Sequence, residues 1–182
     1  MIERVKISGG KWREQIEAVG IQYLTTAEQI KSAMKKYNLL ATSRCSKTKT
    51  RKTGIPKEFY VSQANQQFYK WCEIHKLPYG IFSDLYGLHM FDEVKEFYDI
   101  HPSALSELQF RKLAVLIKQK MKERGYDGFL YFNSSPIMSS PYFYMMQLTK
   151  LKMFYISKLI PLNPPKGIFD RWTKSQLSTT QR

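Results

Sequence analysis

Cys45 and Asp84 are the two residues of this chain whose types and neighbours suit them to carry a reaction. Arg44 and Lys47 lie beside Cys45, and nearby cations favour the thiolate, the form of cysteine that attacks an electrophile. A buried, unreactive cysteine at a strand end would carry the same local sequence, and no partner base is evident. Asp84 follows the apolar run Tyr79-Gly80-Ile81-Phe82 and is suited to act as a general base or to orient one. An ion pair with a basic loop is its simpler role.

Around these two residues stand groups suited to an anion. Ser43, Ser46, Lys47 and Lys49 put small hydroxyl residues beside ammonium groups, so freed backbone N–H groups and charge can meet a phosphate together. A solvated basic loop has the same composition. No glycine-rich phosphate loop is present, which disfavours nucleotide hydrolysis. Ser83 precedes Asp84, and Gly87 permits a backbone turn that a side chain would block. Tyr98-Asp99 is a third polar point, and Asn133-Ser134-Ser135 is a fourth, which also reads as a simple turn. His75, His89 and His101 form no ligand spacing with Cys45 and Cys72, so a structural zinc site is not expected; no metal and no cofactor are expected. The two cysteines indicate no disulfide framework.

The elements that must hold these groups are legible in outline. Residues 2–7 alternate apolar and polar and read as an edge strand, and residues 11–19 read as a helix. Thr25-x-x-Glu28 has the form of a capping box for a helix carrying Ile30, Ala33 and Met34 on one face. The apolar run from Leu39 then forms a buried strand that feeds residues 44–57, a basic loop with Gly54 and Pro56, expected to be mobile. A helix over 62–75 leads to a second strand at 79–82. Residues 92–96 read as a short helix. Ser103 is expected to cap the longest helix, with Leu105, Leu108, Leu113, Leu116, Ile117 and Met121 at helical spacing and Gly125 as its stop. A third strand over 128–132, a helix over 141–151 and a fourth strand over 153–157 follow.

Strands separated by such helices imply parallel pairing. The expected fold is α/β, a three-layer, Rossmann-like helix-sheet-helix sandwich with about four core strands, in one domain over residues 1–182. Within it, 1–37 is an N-terminal helical extension, 38–160 the α/β core and 161–182 a surface segment with a disordered tail. The carboxyl ends of parallel strands gather their loops on one edge, so residues 43–49, 83–87 and 133–135 are expected to converge.

Lys and Arg number 29 against 15 Asp and Glu, a formal net charge of +14, and the sequence pI is about 9.7. Such a chain attracts polyanions at low salt. Nucleic acid is the expected partner, RNA ahead of DNA, or else a nucleotide. No run approaches the length of a membrane span and the N-terminal residues carry no apolar core of the kind a signal peptide has, so no membrane partner and a cytoplasmic location are expected.

The order Cys45-Ser46-x-x-Lys49, Phe59-Tyr60-x-Ser62, Ile81-Phe82-Ser83-x-x-Tyr86-Gly87-Leu88 and Tyr98-Asp99 resembles a group of α/β domains. It is similar to the catalytic core of archaeosine synthase and, more distantly, to YaaA-like proteins, over about residues 38–160. The resemblance implies a pocket formed by Cys45, Ser46, Lys49, Ser62, Ser83 and Gly87, linked in some relatives to tRNA base modification. Asp84 stands where those relatives usually have Ala, and Leu85 where they often have Lys. Three functions fit these readings: an enzyme acting on a nucleobase or nucleotide, a non-catalytic nucleic-acid-binding module, and an enzyme acting on a small phosphorylated molecule.

Overall fold

Helices and strands alternate along the computed structural model, which describes residues 3–163. Helix α1 (Trp12–Ala18) leads into β1 (Ile21–Tyr23), α2 (Ala27–Lys36), β2 (Leu39–Arg44), the short α3 (Pro56–Phe59), α4 (Gln63–Ile74), β3 (Tyr79–Ser83) and β4 (Gly87–Met90). Then follow α5 (Glu107–Glu123), β5 (Gly128–Phe132), α6 (Ser140–Thr149) and β6 (Lys152–Ile156). The fold is α/β. Its sheet has six strands, more than the four or so expected, in the order β1-β6-β5-β2-β3-β4, and only β3 and β4 run antiparallel.

Tyr131 and Phe132 are adjacent on β5 and therefore point to opposite faces. Phe132 stacks on Phe68 of α4, whereas Tyr131 packs against Tyr142 and Phe143 of α6. Helices thus cover both faces, an arrangement compatible with a Rossmann-like sandwich. From β2 the chain passes by α4 to β3 on one side; from β5 it passes by α6 to β6 on the other. Since β2 and β5 are neighbours, the sheet reverses its winding between them, and ligand crevices form beyond the carboxyl ends of strands at such a point.

Several local expectations are corrected. Residues 3–8 form no strand; the edge strand is β1, which pairs with β6. Trp12 of α1 packs edge-on against Tyr23 and Tyr155, so the N-terminal segment is built into the sheet. The capping box of α2 is Thr26 with Gln29, one residue beyond Thr25 and Glu28. Ser106, not Ser103, caps α5 in a capping box with Gln109, because residues 102–104 form a separate 3-10 turn. On α5 the buried arc is Phe110, Leu113, Ala114, Ile117 and Met121, which leaves Leu108 and Leu116 exposed. Residues 92–96 are a turn and a bridge instead of a helix. The loop after β2 is tied down: Lys49 bridges Tyr60, and Gly54 exchanges backbone hydrogen bonds with Lys95. The prolines Pro164 and Pro165 and the expected disordered tail lie outside the described residues.

Two glycines are required by close approaches. A Cβ at Gly128 would fall 2.3 Å from the Lys152 carbonyl oxygen, where β5 meets β6. Gly87 has φ +75° and lies under α5, where a Cβ would fall 3.1 Å from the Leu113 carbonyl oxygen.

Candidate functional site

Strand β2 ends between β5 and β3, so its outgoing loop, the end of β5 and the turn after β3 meet at the sheet reversal. A cavity of about 470 Å³ opens there. Of the residues expected at a site, Ser43, Cys45, Ser46, Lys47, Lys49, Ser62, Asp84, Asn133 and Ser134 line it. The convergence expected of the three loops holds for these positions.

Ser83 and Gly87 are not among the lining residues. The Ser83 hydroxyl is fully buried and accepts hydrogen bonds from the N–H groups of Leu85 and Tyr86 at 3.3 and 3.0 Å, holding the turn that swings Asp84 toward the cavity. Gly87 serves the packing of β4 under α5. Both residues support the site from behind.

The most unusual feature of the cavity is a buried polar trio. Asp84 is 3% exposed and accepts from the Cys45 thiol at 3.2 Å through Oδ2 and from the Tyr142 hydroxyl at 3.5 Å through Oδ1. The Tyr142 oxygen also lies 3.4 Å from Cys45 Sγ. Cys45 is fixed by its own backbone, whose N–H donates to the Phe82 carbonyl at 2.9 Å. Burial raises the Asp84 carboxyl above the usual carboxylate range, and the Cys45 thiol, Lys49, His101 and Tyr142 oppose that shift only in part.

The same surroundings revise the reading of Cys45. Burial and the neighbouring Asp84 charge push its thiol up to about 12, and the opposing charge of Lys49 is the weaker effect. Cys45 is therefore a protonated hydrogen-bond donor to Asp84, and a thiolate nucleophile is not favoured. Lys49 is half-buried, with Nζ 4.7 Å from the centre of the Tyr98 ring, and its charge faces the carboxylate.

The walls come from locally determined elements. Ser62 caps α4 by accepting from the Asn65 N–H at 3.2 Å, and the Asn65 side-chain amide donates to the Arg44 carbonyl at 3.1 Å. This pair clips the amino end of α4 to the end of β2, so the first turn of α4 borders the cavity through Ser62, Ala64 and Asn65. Ser43 donates to the Phe132 carbonyl at 3.0 Å, joining the ends of β2 and β5. Asn133 accepts from the Ser135 N–H at 3.0 Å and is itself nearly buried, whereas Ser134 is exposed at the rim.

Tyr142, Asn65 and His101 are site residues that sequence reasoning missed. Tyr142 lies in the first turn of α6, which the chain reaches from β5 through a polar loop and a 3-10 turn. His101 lines the cavity on the segment between β4 and α5, together with Asp99. The Ser103 N–H donates to His101 Nδ1 at 3.2 Å, which makes Nδ1 an acceptor and leaves the neutral ring's proton on Nε2.

Among the described residues no group of three or more His, Cys, Asp or Glu is placed to hold a metal ion, and no helix is long and apolar enough to cross a membrane. In comparisons with known proteins, the chain matches no family model, no curated protein and no solved structure.

Proposed function

We propose that this is an enzyme acting on a nucleobase or nucleotide, within nucleic acid and with RNA ahead of DNA, on a Rossmann-like scaffold. The observation that carries the reading is Asp84: a carboxylate kept 3% exposed at a cavity wall, with, among the described residues, only a thiol and a phenol within hydrogen-bond distance. Such burial is costly to a fold and recurs where a carboxyl must exchange a proton or meet a specific donor. A carboxylate also repels phosphate. The phosphate therefore belongs at the mouth, with Lys47, Lys49 and the first turn of α4, and the part of the ligand that meets Asp84 is a donor-bearing base edge or sugar hydroxyl.

The volume, about 470 Å³, suits one nucleotide. In this reading Asp84 is the acid or base, Cys45 and Tyr142 hold its two oxygens in place, and His101, which also lines the cavity, offers an Nε2 proton. The resemblance to the archaeosine synthase core agrees with base modification.

The rival is a non-catalytic nucleic-acid-binding module, which the net charge of +14 favours. Calorimetric titration of nucleoside monophosphates and short oligonucleotides, followed by mass analysis of the recovered bases, separates the two. The enzyme reading expects saturable binding that perturbs Asp84, and product formation that Asp84→Asn lowers by about 10²- to 10⁴-fold. Binding without any change in the bases, equal in parent and Asp84→Asn, would establish the rival.

A further inference from the structure

The segment between β4 and α5 crosses from the cavity to the outer surface within a few residues. Asp99 and His101 line the cavity, Tyr98 is buried beneath Lys49, and Phe97 is 39% exposed. The segment is anchored at its start: Arg124 forks onto Asp92 at 2.8 and 2.9 Å, and Lys120 pairs with Glu93 at 2.7 Å. It is anchored again where Lys95 and Gly54 exchange backbone hydrogen bonds, each 3.0 Å. That second anchor brings the basic loop against it. Arg51 lies over the Phe97 ring, 5.8 Å from its centre, and Lys95 over the Tyr86 ring at 5.2 Å.

An exposed aromatic ring on an anchored segment, with cations beside it, is the combination that holds unpaired bases: the ring stacks the base and the cations meet its phosphates. Of the acids in this stretch Asp92 and Glu93 are paired with Arg124 and Lys120, which leaves Glu96 and Asp99 against Arg51, Lys52, Lys95, Lys47 and Lys49. Phe97 lies two residues from Asp99 in the cavity lining, about 7 Å of extended chain, close to the step between successive nucleotides.

We propose that Phe97, with Arg51 and Lys95, is a stacking platform for the nucleotide next to the one held in the cavity, so that the ligand is a single-stranded stretch of nucleic acid. This rests on the nucleotide reading of the cavity. It adds that a neighbouring unpaired base is recognised outside it. A duplex would keep its bases stacked on one another and offer the ring nothing.

The test is fluorescence anisotropy with labelled eight-nucleotide RNA and DNA strands and with the matching duplexes, alongside calorimetry with nucleoside monophosphates. The parent is expected to bind single strands more tightly than duplex. Phe97→Ala should weaken single-strand binding by about 5- to 100-fold, leave mononucleotide binding unchanged, and be rescued by Phe97→Trp. Arg51→Glu, on an exposed side chain, should give the same loss and serves if Phe97→Ala does not fold. Parent-like single-strand affinity in Phe97→Ala or Arg51→Glu, or equal affinity for duplex, would overturn the platform while leaving the cavity reading intact. Failure of mononucleotides and oligonucleotides alike to bind the parent would overturn both.

Discussion

Asp84 is held in a form the fold would otherwise avoid. Its raised carboxyl means that the unfolded chain ionises more readily than the folded one, so its contribution is most favourable below the ordinary carboxylate range and is lost as pH rises through the folded value. Asp84→Asn removes the charge and keeps the shape. The variant is expected to melt at or above the parent at neutral pH, with its advantage shrinking toward pH 4; a deficit that grows with pH would contradict the burial argument. Cys45 supplies a second check at the same place. With its thiol pushed up to about 12 and its side chain 4% exposed, it should resist iodoacetamide at pH 8 in the native protein and react only after denaturation. Rapid native alkylation of Cys45, located by peptide mapping, would restore the nucleophile reading. His89 works in the opposite sense: burial holds it below its ordinary range, only partly opposed by its Nε2 hydrogen bond to the Glu93 carbonyl, and it therefore adds to acid sensitivity as pH falls below about 6.5.

Helix α5 shows how an element with a plain helical pattern can still be placed wrongly about its own axis. Its apolar residues recur on more than one face, and only packing against α6 and β4 selects Phe110, Leu113, Ile117 and Met121 as the buried arc. Ile117→Ala should therefore cost about 2–5 kcal/mol through lost transfer energy and an unfilled cavity, whereas Leu116→Ala, at 48% exposure, should cost well under half of that. Urea unfolding of both variants decides it, and equal losses would place Leu116 in the core. The same distinction explains what was legible elsewhere. Strands β2, β3 and β5 are apolar runs bounded by turns, and they emerge from sequence because every residue from Leu39 to Ser43, and throughout Tyr79–Ser83 and Gly128–Phe132, is buried. Strand β1 has three residues, too few to show a period. Strand β4 follows residues that signal a turn, and its identity comes from antiparallel pairing with β3. Within the site, the loop residues were legible because small hydroxyls, lysines and an acid at strand ends have chemical meaning. Tyr142 was not, since nothing in Tyr142-Phe143-Tyr144 says which ring will meet Asp84 until α6 is packed on the sheet.

Across the whole molecule the excess charge is unevenly compensated. Lys57 pairs with Glu73, Arg111 with Glu107, Lys120 with Glu93 and Arg124 with Asp92. Among the described residues, Lys47, Lys49, Arg51 and Lys52 have no carboxylate within ion-pair distance. Other cations among the described residues, Arg4, Lys31, Lys70, Lys112 and Lys150 for example, also have no such partner, but Lys47, Lys49, Arg51 and Lys52 share the loop that borders the cavity, where a polyanion would release condensed counterions on binding. Each phosphate neutralised in a single strand contributes about −0.7 to the slope of log affinity against log salt. Replacing Arg51 and Lys52 together by Gln should make that slope shallower by about 1.4, while the affinity of the cavity for a mononucleotide changes little. A parent slope near zero would mean that the +14 charge is spread without consequence; a normal slope unchanged in the double variant would move the polyanion track to another face, away from the loop that β2 delivers to the site.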